Sequence, residues 1–565
     1  MYWLLCYWKH AGAHFGRQRT RHGRCHPRGN GLSQPGHRRI VKNSALISAF
    51  NGIGVLTGLA LDIAVAAYFG AGRVTDAFFL AFTLPQFLSL VLVGSYTQVL
   101  VPIFTAKLAE KGESGERFPK PAVHLFSLLL NLNLFGLGLL ALVGWLLSPL
   151  IVSVIGAGAD AQTRATATTL SRLLFLMLLP IGLAEVARAL LFADDRFAAP
   201  AASNAIRYGG ALITLLLAHQ VWGIQALAVG YSVGAVAQLA LMVLALARAG
   251  GGYRPGLWNF RDTTLRKAVR LLLIRMSGIG LRRSGLIFER FLGSFLPPGS
   301  ITALGYARRM SLAFQQVFAN SVSTAILPDL SAWTLARDVT AVQRGLVLGY
   351  RLLAFTMVPI TMIIAVLSLP VVQLLYQRGA FDAEAAHLTA LLLTIYVFSV
   401  PALSIVQLFL APHYATGDAA TPTRHMAWML AVNMITAVTG MRWLDAAGLA
   451  LATTITALVS LARSYWLLWP LYGRLPLGRY TWRAVTAGLL AGLAVWSGWA
   501  GWQMMALQGS SLGQVLGMLA TAGLGGSVYL LATQLLGLDD LKKAWGLIHP
   551  RQPLWKEPEV QGYEQ

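Results

Sequence analysis

Long apolar segments, separated by short polar ones, cover most of this chain from residue 44 to residue 536. About 20 consecutive apolar residues form a helix that crosses the hydrocarbon core of a bilayer. The pattern therefore predicts an all-α polytopic membrane protein with about fourteen transmembrane helices. The predicted helices 1–14 are 44–68, 78–104, 122–146, 169–193, 198–218, 223–247, 268–295, 302–328, 347–376, 386–411, 425–441, 446–470, 483–503 and 514–536.

The composition agrees with a membrane protein. Of the 565 residues, 56% are hydrophobic and 12% are charged, whereas soluble domains contain about 25% charged residues. The 45 Lys and Arg residues exceed the 22 Asp and Glu residues, giving a formal net charge of +23. Such a charge on a soluble protein would indicate a nucleic-acid partner. Here the basic residues lie in short loops between apolar segments, so we predict no nucleic-acid partner.

The basic residues are concentrated in alternate loops, which indicates the orientation of the chain. Loops on one side contain only isolated basic residues, such as Arg73, Arg164, Arg378 and Arg442. Cytoplasmic loops of membrane proteins are enriched in Lys and Arg. We therefore expect both termini in the cytoplasm. The cytoplasmic loops would then contain Lys107, Lys111, Arg117, Lys120, Arg196, Arg254, Arg261, Arg266, Lys267, Arg337, Arg344, Arg424, Arg474 and Arg479.

A weak internal repeat suggests how the helices are grouped. Val74-Thr75 precedes a helix that ends at Val101-Pro102, and Ile301-Thr302 precedes one that ends at Leu327-Pro328. The two copies lie an even number of helices apart and therefore cross the membrane in the same direction. Two parallel lobes of six helices, with a site between them near the midplane, are typical of transporters.

The repeat and the composition together predict five segments. Residues 1–42 would form a basic, disordered cytoplasmic tail, and residues 541–565 a second cytoplasmic tail. The two pseudo-symmetric lobes would be 43–250, containing helices 1–6, and 251–471, containing helices 7–12. Residues 472–540 would add helices 13 and 14 at the C-terminal side.

Predicted helix 7 contains an unusual number of arginines for a membrane span: Arg270, Arg275, Arg282, Arg283 and Arg290. A charge at the centre of a bilayer costs about 2.5–3.5 kcal/mol on insertion scales. Arg270 is close enough to the membrane surface to extend to the headgroups. Arg282 and Arg283 lie near the middle of the span, so we expect them to face an internal polar cavity.

A cavity lined by arginine is suited to an anionic ligand. The guanidinium group binds two phosphate oxygens at once and stays charged at physiological pH. Arg275, Arg282 and Arg290 are separated by seven and eight residues, which places them on one face of a helix. We therefore expect them to bind a pyrophosphate that moves between the two faces of the membrane.

Three acidic residues near the predicted cavity have two possible functions. Asp62 and Asp76 lie at the outer ends of helices 1 and 2, and Glu289 precedes Arg290. Asp62 and Asp76 could make contacts at helix ends or between lobes, and Glu289 could pair with Arg290. All three could instead take part in gating or in coupling to a proton or cation. The sequence leaves both alternatives open. Glu185 and Arg188, three residues apart, are predicted to form a structural ion pair.

The sequence contains no catalytic constellation, nucleotide-binding loop or metal-ligand pattern. His22, Cys25 and His26 lie close together, but a zinc site needs four ligands at recognised spacing. We interpret them as chance neighbours in the basic tail. We therefore predict a protein that is not an enzyme and that has no cofactor or metal, apart from a coupling ion of unknown identity.

Beyond these features, the chain resembles the MviN/MurJ lipid II flippases of the multidrug/oligosaccharidyl-lipid/polysaccharide exporter superfamily. The similarity extends over about residues 44–540. It rests on Tyr68-Phe69-Gly70-Ala71-Gly72, Thr75-Asp76-Ala77-Phe78-Phe79, Leu84-Pro85, Arg196-Phe197, Pro200, Asn204, Glu289-Arg290-Phe291-Leu292, Tyr306-Ala307-Arg308-Arg309-Met310, Gln377-Arg378-Gly379-Ala380-Phe381 and the segment from Ala411 to Pro422.

The resemblance implies a function and a set of site residues. Arg290 and Arg309 match the family's cavity arginines in the second lobe, and Asp62 and Asp76 match its acidic residues in the first. The expected substrate is a polyprenyl-pyrophosphate-linked saccharide, lipid II or a related glycan lipid. The expected site is a cationic cavity between lobes of a bacterial inner-membrane protein, with a groove for the polyprenyl tail at helices 13 and 14. A cell-wall synthesis complex is a further expected partner.

The first lobe departs from the family pattern. Val55 and Leu61 stand where the family has two arginines in helix 1. Ser89-Leu90 replaces an arginine pair in helix 2, and Val93-Gly94-Ser95-Tyr96 replaces the acidic-glycine motif that follows. Two alternatives to a flippase therefore remain open. One is a non-transporting scaffold derived from a flippase, and the other is a cation-coupled drug exporter of the same fold.

Overall fold

The computed structural model describes residues 34–110, 117–254, 259, 261–316, 320–504 and 511–538, and the side chains of all of these except 34–47, 320–325 and 511. The predicted C-terminal tail, the first 33 residues of the predicted N-terminal tail, and His22, Cys25 and His26 lie outside the described residues. Within the described ranges every regular element is a helix, because residues in lipid must satisfy their backbone hydrogen bonds within one segment.

Seventeen helices are present in the described part of the chain. They are α1 (Gln34–Phe69), α2 (Arg73–Ala109), α3 (Lys120–Ile155), α4 (Ala161–Phe175), α5 (Leu178–Ala193), α6 (Ala198–Trp222), α7 (Gln225–Arg248), α8 (Thr263–Arg283), α9 (Gly285–Gly293), α10 (Ser300–Phe314), α11 (Asn320–Leu335), α12 (Val339–Tyr376), α13 (Ala383–Val397), α14 (Ser399–Ala415), α15 (Ala420–Tyr472), α16 (Gly478–Gln503) and α17 (Ser511–Leu535).

Eleven helical stretches among the described residues are long and apolar enough to cross a membrane, counting α4–α5 and α13–α14 as one stretch each. The structure therefore confirms an all-α polytopic membrane protein. Predicted helices 7 and 8 are instead the pairs α8–α9 and α10–α11. These pairs do not reach the apolar character of the other stretches, since α8 contains the arginines noted above.

Predicted helices 11 and 12 lie on either side of a reversal within α15. Asp445 has a non-helical backbone, with φ 47° and ψ −128°. A Cβ atom added to Gly448 would lie 2.1 Å from the carbonyl oxygen of Gly440. Residues eight apart in a straight helix are separated by about 12 Å. The two halves of α15 therefore form a tight hairpin at Asp445, in agreement with two predicted helices.

The first helix begins earlier than its apolar pattern indicates. The predicted span starts at residue 44, whereas α1 begins at Gln34, inside the segment predicted to be a disordered tail. Pro35 lies in the first turn, where a missing N–H group breaks no helical hydrogen bond. The polar residues that follow form a helix without being apolar, which hydrophobic patterning alone does not predict.

The described residues form two compact units. The first contains the residues up to Tyr306 together with Leu375–Leu388 and Ala437–Leu449. Within it, α2 packs against α4, α5 and α8, while α6 packs against both α1 and α7. Its core includes the fully buried Leu100, Phe104, Leu129 and Leu190. Because α8 contributes Leu265, Ala268 and Leu272 to this core, one face of the arginine-bearing helix is fixed.

The second unit contains Ala307–Leu374, Thr389–Thr436 and the residues from Ala450 onward. Here α16 and α17 pack against each other. Ala487 and Ala491 of α16 meet Tyr529 of α17 and Phe355 of α12 in one cluster. Small residues at such contacts allow helices in lipid to approach closely. The last two helices are therefore anchored on α12.

Candidate functional site

The predicted row of arginines lies on two helices, α8 and α9, joined at Ser284. The backbone of Ser284 is right-handed helical, with φ −60° and ψ −26°, so α9 follows closely on α8. On α8 the buried residues Leu265, Ala268, Leu272 and Ile279 form one face. The arginines lie beside or beyond this face, at Arg275, Arg282 and Arg283 on α8 and at Arg290 on α9.

Arg275 is exposed and contacts a polar residue of α2. Its Nε donates a hydrogen bond of 2.6 Å to Oε1 of Gln98. Glutamine is a neutral acceptor, so this contact orients the guanidinium group without neutralising its charge. The side chain is therefore positioned as a cation beside α2.

Arg282 and Arg283 are adjacent and exposed at the end of α8. Arg282 makes no hydrogen bond or ion pair with any described residue of the first unit. It lies seven residues after Arg275, about two helical turns along the same side. The structure thus leaves the charge of Arg282 uncompensated within its own unit, and an anion is the natural partner of such a group.

Arg290, by contrast, lies in a packed interior. It is 6% exposed, its Nη1 donates a hydrogen bond of 2.6 Å to the carbonyl oxygen of Ile301, and its Cζ lies 5.0 Å from the centre of the Phe79 ring. A Cβ atom added to Gly305 would come within 3.0 Å of its Nη2. The guanidinium group therefore contacts α2 and α10 from its position on α9.

Asp76 caps the beginning of α10 from the first turn of α2. Its Oδ2 accepts a 2.6 Å hydrogen bond from the backbone N–H of Gly299. Its Oδ1 accepts bonds from the backbone N–H of Thr302, at 2.9 Å, and from the Thr302 hydroxyl, at 2.6 Å. A carboxylate is favourable at a helix N-terminus, where unpaired N–H groups carry partial positive charge. The structure thus gives Asp76 the helix-end contact that was one of its two predicted functions.

Two further predicted residues of the first unit are buried on their helices. Asp62 is buried on α1, and Glu289 is buried on α9 next to Arg290. Arg309 is half-buried on α10, in the part of that helix that belongs to the second unit. Within the first unit, the structure therefore brings Asp76 and Arg290 together, with an electrostatic interaction between them.

Two motif glycines, one in residues 68–72 and one in residues 377–381, lie where two turns of the chain are in contact. Gly70 and Gly379 both have positive φ values, 64° and 57°, which side-chain-bearing residues rarely adopt. A Cβ atom on Gly70 would lie 2.3 Å from the carbonyl oxygen of Ala380, and one on Gly379 equally close to that of Ala67. The backbone N–H of Ala380 also donates a 2.8 Å hydrogen bond to Ala67. These glycines therefore hold the α12–α13 turn against the α1–α2 turn.

The buried ion pair of Glu185 and Arg188 includes one more residue than the sequence predicted. Glu185 is fully buried and its Oε1 accepts hydrogen bonds from Nη1 of Arg188, at 3.0 Å, and from Nε2 of Gln238, at 3.4 Å. The predicted pair is therefore present as an ion pair. Gln238 on α7 extends it into a network, which a spacing rule for one helix does not reveal.

The second unit contains a cavity that was not predicted from the sequence. A cavity of about 520 Å³ lies between the beginning of α12 and the α15–α16 connection, and three arginines line it: Arg344, Arg351 and Arg474. Arg344 and Arg474 were predicted in basic loops 130 residues apart, and Arg351 lies within predicted helix 9, so no sequence signal grouped the three. Among the described residues, no cluster of His, Cys, Asp and Glu suited to a metal ion is found.

Comparison with known proteins leads to the same family as the sequence motifs. The profile of the family described as Lipid II flippase MurJ matches residues 65–513. A probable lipid II flippase MurJ from Vibrio cholerae serotype O1 is 26% identical over 525 residues, which cover 90% of this chain and 98% of that protein. A homologous protein from Rhizobium meliloti with the same description is 28% identical over 436 residues, covering 74% and 79%.

Solved structures show the same fold. An inward closed structure of lipid II flippase MurJ superposes with a TM-score of 0.73 at 20% identity, covering 88% of this chain and all of that one. An inward-facing MATE multidrug transporter of the MOP superfamily gives a TM-score of 0.57 at 13% identity, over 75% and 96%. The profile match spans well over half of the 565 residues, so the chain belongs to the lipid II flippase MurJ family.

Proposed function

We propose that this protein is a flippase that moves lipid II, or a closely related polyprenyl-pyrophosphate-linked saccharide, across the bacterial inner membrane. The observation that carries the proposal is the exposed arginine series on α8 in a chain of the MurJ family. Translocation makes and breaks no covalent bond, so the protein is a transporter and not an enzyme.

The arginines are assigned different roles according to their surroundings. Arg275, Arg282 and Arg283 are exposed and bind the oxygens of the pyrophosphate, for which their planar guanidinium groups are suited. Arg309 binds the same group from α10. Arg290 was predicted to contact the substrate, but its bond to Ile301 and its burial favour a positioning role, in which it holds α9 and α10 together.

Transport would proceed by alternating access between the two lobes at 43–250 and 251–471, with both termini in the cytoplasm. The saccharide crosses in a hydrated cavity while the polyprenyl tail stays in lipid along α16 and α17. A membrane potential supplies about 2.3 kcal/mol per charge per 100 mV. Asp62, Asp76 and Glu289 are the candidate coupling or gating groups, and components of cell-wall synthesis are candidate protein partners.

One specific observation favours a second candidate, a scaffold that no longer transports. Val55, at a position where the family has an arginine, is 52% exposed, and Leu61, at the other, is packed and 1% exposed. The first lobe of this protein therefore has fewer arginines at these positions than the family pattern has. A scaffold would need no phosphate-binding arginines, so the two candidates differ in what they require of α8.

Replacement of Arg282 and Arg283 by Gln (R282Q/R283Q) tests the proposal. In cells depleted of their own lipid II flippase, we expect the wild-type protein to restore growth and the variant to fail. Loss of two charge-assisted contacts of about 1.5–3 kcal/mol each predicts transport reduced by two orders of magnitude or more. Lipid II translocation into vesicles containing purified protein gives the rate directly.

The matched control is K267Q/R270Q, which removes two exposed basic side chains from the same helix near the membrane surface. We expect this control to transport at nearly the wild-type rate. The charge-preserving variant R282K/R283K should be intermediate, because lysine lacks the bidentate fork. A well-expressed R282Q/R283Q variant that still supports growth would exclude a flippase mechanism that depends on these arginines and would leave the scaffold.

A further inference from the structure

The arginine cavity of the second unit has no part in the proposed transport path. Its walls include Arg344, Arg351 and Arg474, together with the apolar residues Val347, Leu475 and Pro476. We propose that this cavity binds the phosphate headgroup of an anionic phospholipid. Basic pockets between membrane helices bind such headgroups. The proposal does not depend on which substrate the protein transports.

The depth of the cavity matches the headgroup region. Helix α12 contains 38 residues and is therefore about 57 Å long, whereas the hydrocarbon core is about 30 Å thick. The residues from Leu352 to Leu375 are almost all apolar and are sufficient to cross that core. Arg351 then lies at its boundary, and Arg344 lies about two turns further out.

Aromatic rings hold two of the three guanidinium groups. Cζ of Arg351 lies 5.3 Å from the centre of the Tyr480 ring, and the Tyr480 hydroxyl donates a 3.0 Å hydrogen bond to the Arg351 carbonyl oxygen. Cζ of Arg474 lies 4.4 Å from the centre of the Trp469 ring. A stacked arginine keeps the N–H groups at its edge directed sideways, which is the geometry needed to bind phosphate oxygens.

Hydrogen-bond donors in this group exceed the acceptors that the unit supplies. The buried Nε of Arg351 has no hydrogen-bond partner among the described residues. Nε of Arg344 donates to the carbonyl oxygen of Thr340 at 3.3 Å, which is a long contact. A buried donor without an acceptor is unfavourable. Arg344 and Arg474 are exposed, so phosphate oxygens in the cavity would supply acceptors for their guanidinium N–H groups.

One neighbouring carboxylate reduces the positive charge only in part. Asp338 accepts hydrogen bonds from the backbone N–H of Ala341, at 2.9 Å, and from the Thr340 hydroxyl, at 2.7 Å. These bonds, with the charge of Arg344, hold the pKa of the Asp338 carboxyl below its usual value. Asp338 is therefore ionised and occupied at the start of α12, and three guanidinium groups against one carboxylate leave the cavity cationic.

The apolar wall selects a lipid over a free anion. Val347 and Leu475 border the same cavity as the arginines, so a ligand with phosphate and glycerol next to an acyl chain satisfies both surfaces. A free phosphate would contact only the arginines. The polyprenyl pyrophosphate of the substrate shares this chemistry, and the experiment separates it from a resident phospholipid.

The test measures binding of dioctanoyl phosphatidylglycerol to the purified full-length protein by native mass spectrometry. The variant R344Q/R474Q removes two cavity arginines and keeps Arg351, whose stacking on Tyr480 supports the fold. The matched control R424Q/R479Q removes two exposed arginines that do not line the cavity. We expect binding about 30-fold weaker in R344Q/R474Q, unchanged binding in the control, and no comparable binding of dioctanoyl phosphatidylcholine.

Three outcomes would overturn the proposal. Equal weakening in both variants would show a general effect of surface charge. Displacement of the lipid by millimolar inorganic phosphate would show a site for free anions. Displacement by undecaprenyl pyrophosphate, with a raised KM for lipid II transport in R344Q/R474Q alone, would assign the cavity to the substrate. Phospholipid binding is measured without transport, so this proposal and the proposed function can fail separately.

Discussion

Asp76 illustrates how one buried carboxylate stabilises a helix end within the membrane. It accepts three hydrogen bonds from Gly299 and Thr302. We expect Asp76→Ala to lower the free energy of unfolding by about 2–4 kcal/mol, because it leaves two buried N–H groups without acceptors. Thr302→Val, which removes a single hydroxyl bond, should cost about 1 kcal/mol. Thermal unfolding of the purified protein in detergent measures both.

A further substitution, Asp76→Asn, separates the two functions considered for this residue. A coupling residue would lose transport in Asp76→Asn while stability stayed near the wild-type value. If Asp76 serves to cap α10, the Asp76→Asn protein should be less stable than the wild type, because the amide of asparagine places a donor where one carboxylate oxygen accepted a bond. A fully stable but inactive Asp76→Asn protein would contradict the structural role.

Arg282 and Arg290 show which properties of a single residue the sequence predicts. Both were expected in a polar cavity because charge is costly in lipid, and that cost requires only that each arginine has a polar or charged partner. The partner of Arg290 is the Ile301 carbonyl oxygen on the following helix. Residue type and depth are readable from the sequence, but the direction of a side chain depends on contacts between helices that the sequence does not specify.

At the scale of helices, glycine contacts determine how α6 and α7 pack. A Cβ atom added to Gly234 of α7 would lie 2.0 Å from the carbonyl oxygen of Arg207 on α6. We therefore expect Gly234→Ala to force the helices apart and to lower the thermal stability markedly. Gly209→Ala on α6 is the matched control, because its Cβ would meet only a Thr57 methyl group at 3.8 Å.

The control Gly209→Ala also has a predicted effect on stability. Alanine is favoured over glycine inside a helix by about 1 kcal/mol, so Gly209→Ala should leave stability unchanged or slightly raised. Unfolding of both proteins in the same detergent gives the comparison. Equal destabilisation by the two substitutions would show that close packing at Gly234 is not the cause.

Helix positions were more predictable than helix interruptions. Apolar runs located α6 and α7 within a few residues of their observed bounds, because a span must be continuously apolar. In contrast, α1 begins ten residues before its predicted span, and α3 ends nine residues after its predicted span. The break at Ser284 and the end of α10 at Phe314 have no comparable signal. These helices contain the charged residues and are stabilised by specific contacts, such as the cap that Asp76 provides for α10.

At the scale of the whole chain, contacts in the first unit show that successive loops alternate between two ends. At one end, the α3–α4 loop meets the end of α9 through a 3.0 Å hydrogen bond from Gly158 N–H to Ser294. At the other, Arg117 before α3 forms a 3.0 Å ion pair with Asp194 after α5. This alternation is what consecutive membrane crossings require, and it supports the predicted topology.

The distribution of charge between these two ends predicts their orientation. The end that contains Arg117 also contains Arg196, Arg254 and Arg261, whereas the α3–α4 loop contains no Lys or Arg. By the positive-inside rule the basic end is cytoplasmic. In a protein with both native cysteines replaced (C6S/C25S), we expect Ala157→Cys to react with a membrane-impermeant maleimide in intact spheroplasts.

Asn259→Cys, in the basic α7–α8 connection, is the opposing variant. It should react only after the membrane is permeabilised, because both positions are exposed in the structure and only the bilayer separates them from the reagent. The reverse labelling pattern would place the termini outside the cell. The reverse pattern would also contradict the predicted cytoplasmic position of the basic loops.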